Sequence, residues 1–159
     1  MNSTVKNIII RQIDTKNQQE LAWVNQQYSY INFMHSQENE YIIVAEINGE
    51  KAGLGRIVPC GTDDLTNKTA GELGGIHVLS KFQGMGIAHK IVEHLSSNKD
   101  YDILYCIPFR NLEYFYKQYG FSNACVEKCI HKKAINKYKY CMNSYNSTSL
   151  FLYKNCRQA

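Results

Sequence analysis

Apolar positions along this chain change their spacing several times, and each change marks an element. KNIIIRQI, Lys6–Ile13, is a short β-branched run and predicts a strand. In the next stretch Leu21, Val24, Tyr28 and Ile31 recur every three or four residues, which predicts an amphipathic helix with Thr15 as its N-cap. Asn32–Glu40 is polar and reads as a loop or short helix. YIIVAEI (Tyr41–Ile47) and KAGLGRIVPC (Lys51–Cys60) flank Asn-Gly-Glu, the signal of a tight hairpin. After the polar loop Gly61–Thr69 comes GELGGIHVL (Gly71–Leu79), a strand pattern broken by Gly74 and Gly75. Glycines inside a strand suggest a bulge or a close backbone approach.

A helical period resumes at Gly86, with Ile87, Ala88, Ile91, Val92 and Leu95 on one face. YDILYCI (Tyr101–Ile107) is almost continuously apolar, as a strand buried on both faces would be. NLEYFYKQYG (Asn111–Gly120) predicts a short helix stopped by Gly120. ACVEKCI and SLFLYK complete the pattern as strands. The expected order is β-α-β-β-β-α-β-α-β-β. An antiparallel start followed by a β-α-β unit predicts an α/β fold with a mixed sheet, not a purely parallel one. No repeat, linker or low-complexity block divides the sequence, so residues 1–159 are expected to form a single domain.

Composition narrows the class. Apolar residues make up 44%, charged residues 20%, and prolines number two, a globular profile. No apolar run approaches the roughly 20 residues needed to cross a bilayer. The isoleucine run is shorter than the about 7 apolar residues of a signal-peptide core. A cytoplasmic setting without membrane contact is the expectation. The six cysteines are scattered, unlike a small disulfide scaffold. Cys125, Cys129, His131 and Cys141 lack the tight paired spacing of a zinc site, so no metal is expected. The net charge of +4 is concentrated late, in EKCIHKKAINKYKYC, Glu127–Cys141. Basic and aromatic residues together can track nucleic acid. No recognised nucleic-acid module accompanies them, and a solvated strand or loop is the expected reading.

The chemistry concentrates in SKFQGMGIAHKIVEHL, Ser80–Leu95. The first amides of a helix have no intrahelical partner and lie at the positive end of its dipole. A loop without side-chain bulk lets several of them converge on one anion. Gly84 and Gly86 supply such a loop, and Gln83 adds a side-chain donor. The loop is neither GxxxxGK[ST] nor GxGxxG. Instead Gln83, Gly86 and Ala88 fit [QR]-x-x-G-x-[GA], the signature of the GCN5-related N-acetyltransferases. GELGGIHVLSKF resembles that superfamily's fourth strand, and GEKAGLGRIV fits the preceding hairpin. NLEYFYKQYGF resembles its second signature, with Tyr116 ahead of Gly120 and Phe121. The resemblance runs from about Ile8 to Phe121 in the expected order.

The resemblance implies acetyl transfer from acetyl-CoA to a primary amine of a small molecule or peptide. It also implies a central sheet that splays between its fourth and fifth strands. The pantetheine arm would lie along Ile76, His77 and Val78, bonding to the backbone of Ile76 and Val78. The pyrophosphate would rest on Gln83, Gly84, Met85, Gly86, Ile87 and Ala88, and Asn111 would contact the cofactor. Tyr116 matches the family's motif tyrosine and is the expected general acid. Glu72 is the candidate base through a water. Two-residue alternation puts it on one face with Gly74, Ile76 and Val78 and sends His77 to the other, as a packed or surface histidine. Glu38 and Glu40, in the loop region that lines the family's acceptor pocket, can attract a cationic amine; the basic tail suits an acidic acceptor equally well. Rival readings are an acyl-CoA-binding or sensing domain without turnover, and a nucleic-acid-binding domain using Lys128–Lys139. A homodimer is left open.

Overall fold

The β-branched runs become strands and the 3.6-period stretches become helices. The computed structural model describes residues 7–145 and 148–157, so Lys6 of the first expected strand lies outside the described residues. The strands are β1 (Ile8–Gln12), β2 (Tyr41–Ile47), β3 (Glu50–Thr62), β4 (Thr69–Val78), β5 (Ile103–Cys106), β6 (Ser122–Asn123) and β7 (Leu152–Asn155). They form a mixed sheet in the order β1-β2-β3-β4-β5-β7-β6. The helices are α1 (Gln18–Tyr30), α2 (Ile87–Ser96), α3 (Glu113–Lys117) and α4 (Lys132–Ser144). β4 and β5 run parallel, β5 and β7 antiparallel. The expected mixed α/β sheet flanked by helices is therefore present.

The described chain groups into two compact units, each discontinuous in sequence. The first takes residues up to Arg56 and Gly75–His94. Here β1 lies antiparallel to β2, with Ile10 opposite Ala45. Asn48 and Gly49 turn β2 into β3 with φ of 52° and 79°, the left-handed pair of a type I′ hairpin. Its core is Ile13, Val24, Tyr28, Ile42, Val44 and Leu54, with Leu21 and Trp23 packed against it. α1 thus buries the stripe its period announces, except that Ile31 lies beyond its end and is exposed.

The second unit takes Ile57–Gly74 and Leu95 onward. Registered pairing of β4 with β5 runs from Ala70–Ile103 to Leu73–Cys106, while β4 itself continues to Val78. Its core joins Cys60, Ala70, Ile103, Tyr105, Ala134 and Phe151. Asp102 ties the two parallel strands at their start, accepting from Thr69 N at 2.8 Å and Thr69 Oγ1 at 3.2 Å.

Three expectations are corrected. The N-cap of α1 is Asn17, whose Oδ1 accepts from Gln19 N and Glu20 N at 3.0 and 3.2 Å. A turn closed by Asn17 N donating to Asp14 O delays the helix, and Thr15 donates to the Glu38 carbonyl instead. The lysine-rich segment is helix α4, neither strand nor loop. Ala134 and Cys141, seven residues apart, bury its inner face, and Tyr138 stacks on Phe151 with centroids 5.0 Å apart. ACVEKCI is not a strand: it contains a 3-10 turn over Val126–Lys128, and β6 is two residues long.

Candidate active site

In the first unit, the stretch from β4 into α2 carries the proposed cofactor contacts. Ile76, His77 and Val78 end β4, half-buried. Burial lowers the His77 pKa, which favours the neutral imidazole. A 3-10 turn over Ser80–Phe82 follows, anchored by buried Phe82 and by Leu79 N donating to Ala52 O at 2.9 Å. Gln83 donates through Nε2 to the Val78 carbonyl at 3.4 Å. Gly84 and Gly86 both adopt left-handed backbone, with φ of 80° and 79°. A Cβ on either would meet nothing within 4 Å. Conformation, not crowding, is what requires glycine there.

Lys90 N donates to Gly86 O at 3.2 Å, so the helical ladder of α2 starts on Gly86. A serine or aspartate at that point would cap its own helix. Glycine has no side-chain oxygen to offer, and the amides that open α2 stay available to an anion. Gly84, Gly86 and Gln83 are exposed, Met85 and Ala88 half-buried, and Ile87 anchors the helix in the core.

Gly75, just upstream, differs from both. It has φ 62° in mid-strand, and a Cβ there would lie 2.5 Å from the Tyr28 hydroxyl oxygen and 3.1 Å from Arg56 Nε. Of the two readings of the paired glycines, the close approach is found, and at Gly75. A left-handed residue interrupts strand alternation, so parity counted across Gly75 does not assign Glu72 and Ile76 to one face. The Tyr28 hydroxyl donates to the Gly75 carbonyl at 2.8 Å. The Arg56 guanidinium stacks over the Tyr28 ring at 4.5 Å, donates to Ser36 Oγ at 2.7 Å and pairs with Glu40 at 3.4 Å. Glu40 is therefore a buried partner of Arg56 and is not placed to attract an amine. Glu38 is exposed.

In the second unit, Glu72 and Tyr116 are both buried, with Cys106 as their common neighbour. Tyr116 sits on the short helix α3, edge-on to Phe115 and Phe121. The sequence also allows Tyr116 to be a core tyrosine, since Leu112, Phe115 and Tyr119 share its helix and are expected to bury one face. In the structure Leu112 is exposed and Tyr116 is the side chain taken inside. Its hydroxyl lies beside the Cys106 thiol. Burial pushes the Tyr116 phenol well above its ordinary value of 10, and the negative charge of ionised Cys106 or Glu72 would push the same way. Burial likewise holds the Cys106 thiol well above 9, with Glu72 adding to it.

Glu72 pairs in register with Tyr105, and Gly74 bears no side chain beside it: a Cβ there would lie 3.6 Å from Glu72 Oε2. Cys60 is pushed up to about 12, by burial first and by Glu72 second. Asn111 lies exposed in the 3-10 turn Arg110–Leu112 that leads into α3. Nothing in the sequence pattern marked Cys106 as the neighbour of Tyr116, because its place in an apolar strand run reads as core.

The late cysteines are occupied separately. Cys125 donates to Glu127, and Cys129 to the His131 carbonyl. His131 meets the Tyr105 hydroxyl through Nδ1 at 3.0 Å and the Lys68 carbonyl through Nε2 at 2.9 Å. Among the described residues, no three of His, Cys, Asp and Glu gather to hold a metal. No described helix is long and apolar enough to cross a membrane.

The family model for the acetyltransferase (GNAT) domain matches residues 38–123, more than half of the 159. A search of curated proteins finds no match. Among solved structures, N-acetylglutamate synthase from Neisseria gonorrhoeae, complexed with coenzyme A and N-acetyl-glutamate, superposes with a TM-score of 0.64 at 15% identity. The match covers 96% of this chain and 36% of that one, so this chain spans about a third of that enzyme's length. A GNAT family acetyltransferase from Elizabethkingia anophelis with acetyl-CoA bound gives 0.58 at 17% identity, covering 94% and 98% of the two chains. Glucosamine-6-phosphate N-acetyltransferase from Arabidopsis thaliana gives 0.56 at 17%, covering 76% and 95%. At these identities the likeness is one of fold.

Proposed function

Because the chain belongs to the GNAT acetyltransferase family, as an N-acetyltransferase domain whose co-substrate is acetyl-CoA, we propose that it moves the acetyl group directly to a primary amine within a ternary complex. The grouping of Glu72, Cys106 and Tyr116 carries this reading. An amine is mostly ammonium near neutrality, and a base must take its proton before attack. Glu72 serves as that base through a water. The amine nitrogen then bonds to the thioester carbonyl carbon, the carbon–sulfur bond breaks, and the electron pair leaves on sulfur. Tyr116 presents its hydroxyl to that sulfur. A phenol held well above 10 keeps its proton throughout the working range, so a donor is always in place.

The same environment argues against a covalent route. The nucleophile would have to be a thiolate, and Cys106 and Cys60 are both held as neutral thiols. In the first unit, Gly84, Gly86 and the opening amides of α2 bind the pyrophosphate. Ile76, His77 and Val78 line the pantetheine arm, and Gln83 steadies the end of β4. The acceptor is a small molecule or a peptide amine.

The test is thiol release from acetyl-CoA against a panel of amines, with binding followed by calorimetry. Tyr116→Phe is expected to lose turnover by about tenfold or more, within the usual range for acid–base groups, with acetyl-CoA affinity kept. Glu72→Gln is expected to flatten the limb on which rate rises with pH. Full turnover in Tyr116→Phe, or an unaltered pH profile in Glu72→Gln, removes the role assigned to that residue. Tight acetyl-CoA binding with no thiol release across the panel would instead favour a non-catalytic acyl-CoA-binding domain.

A further inference from the structure

We propose that Tyr28 is a positioning residue: its hydroxyl, braced by Arg56, sets the plane of the Gly75–Ile76 peptide and so aims the Ile76 N–H at the acyl carbonyl oxygen. The proposal rests on the reading that this end of β4 meets acetyl-CoA.

The peptide group is planar and, in a trans bond, its C=O and N–H point in opposite directions. No described peptide bond is cis. The Gly75 carbonyl is drawn to the Tyr28 hydroxyl, 2.8 Å away. The N–H of Ile76, across the same peptide, therefore points away from Tyr28. Rotating that N–H means breaking a buried hydrogen bond, so its direction is held before any ligand arrives. Donors fixed in advance at the oxygen that gains charge are the strongest aid to acyl transfer a protein offers.

Tyr28 is itself held from several sides. Its side chain is fully buried in the first unit's core. The Arg56 guanidinium covers its ring at 4.5 Å, and the Phe33 ring lies 5.6 Å from it. Arg56 is only 2% exposed and is tied to Ser36 and Glu40, both in the segment after α1. Its Nε has no hydrogen-bond partner and lies 3.1 Å from where a Gly75 Cβ would stand. A buried arginine left partly unsatisfied is costly. Its placement against both Tyr28 and Gly75 accounts for that cost as a constraint on backbone geometry. The left-handed φ of Gly75 accompanies the arrangement, with its carbonyl bonded to Tyr28.

The experiment compares wild type with Tyr28→Phe, which keeps the ring and removes the hydroxyl. Turnover is measured with acetyl-CoA and the best amine of the panel, and the infrared band of bound acetyl-CoA labelled with carbon-13 at the thioester carbonyl is recorded. Loss of a whole oxyanion donor costs about 100- to 1,000-fold. A donor that is mis-aimed but present is expected to cost about tenfold to a hundredfold in kcat, with KM for acetyl-CoA within about twofold. The carbonyl band should move toward its position in free acetyl-CoA. Arg56→Lys keeps a charge for Glu40 but loses the planar stack; it serves if Tyr28→Phe folds poorly, and should shift kcat and the band in the same direction by less. An unmoved band with unchanged kcat, at whatever melting temperature, makes Tyr28 a structural residue and overturns the proposal. Wild type that neither binds acetyl-CoA nor releases thiol removes the cofactor reading first, and the proposal with it.

Discussion

Replacing Gly75 by alanine should cost far more stability than the same change at Gly86, although both glycines have left-handed backbone, with φ of 62° and 79°. Forcing an L side chain into that conformation costs about 1–2 kcal/mol at either position. Their surroundings differ. At Gly86 the new methyl meets nothing within 4 Å. At Gly75 it lands 2.5 Å from the Tyr28 hydroxyl oxygen, 3.0 Å from its ring carbon and 3.1 Å from Arg56 Nε. Both neighbours are buried and tied elsewhere, so neither can swing away freely. Overpacking of this kind costs a further ~1–3 kcal/mol. Gly75→Ala should therefore be less stable than Gly86→Ala by that difference. Urea denaturation of the two variants measures it directly. Repeating both in a Tyr28→Phe background removes the closest clashing atom and should close at least half of the gap. A difference below about 0.5 kcal/mol, the usual scatter of independent sites, would show that the Tyr28 contact does not constrain Gly75. Gly86→Ala should meanwhile weaken acetyl-CoA binding, because the strained loop no longer presents its amides together.

Arg56→Met should destabilise by about 3–5 kcal/mol, the usual cost of stranding a buried charge, since Glu40 loses its ion-pair partner in the core; urea denaturation at neutral pH checks it, and a loss below about 1 kcal/mol, the worth of an exposed pair, would count against it. Asp102 has its pKa lowered, first by the hydrogen bond from Thr69 N. A depressed carboxylate contributes stability above its unfolded pKa of about 3.9 and loses it as pH falls through the lower folded value. Wild type should therefore lose stability below about pH 4 more steeply than Asp102→Asn, and equal acid limbs in denaturant titrations would count against the Thr69 contact.

Much of the architecture is legible in local pattern. β-branched runs, the Asn48–Gly49 turn and the 3.6-period stripe of Ile87, Ile91, Val92 and Leu95 each act through neighbours close in sequence, and each element forms where its pattern lies. α4 escapes that reading. Its apolar positions are few, Ala134, Tyr138 and Cys141, and lysines and tyrosines mask them; the helix is stabilised by packing on Tyr105 of β5 and on Phe151, just ahead of β7. The N-cap of α1 escapes it for a similar reason, because both Thr15 and Asn17 qualify chemically and a backbone turn chooses between them.

The candidate site divides along the same line. Sequence alone determined that a glycine loop opens a helix and that a tyrosine precedes Gly-Phe, because those are statements about consecutive residues. It ranked Gly86 above Gly84, whereas the folded loop has both in left-handed backbone and both in open space. Tertiary structure alone decided that Tyr116, among three tyrosines on and around α3, goes inside against Cys106. It also turned Glu40 from a loop carboxylate into the buried partner of Arg56. Most of all, it singled out Gly75, which in sequence is one of two equivalent glycines in a strand. Its role is set by a tyrosine 47 positions away, and no local spacing records a contact that only the closed chain can make.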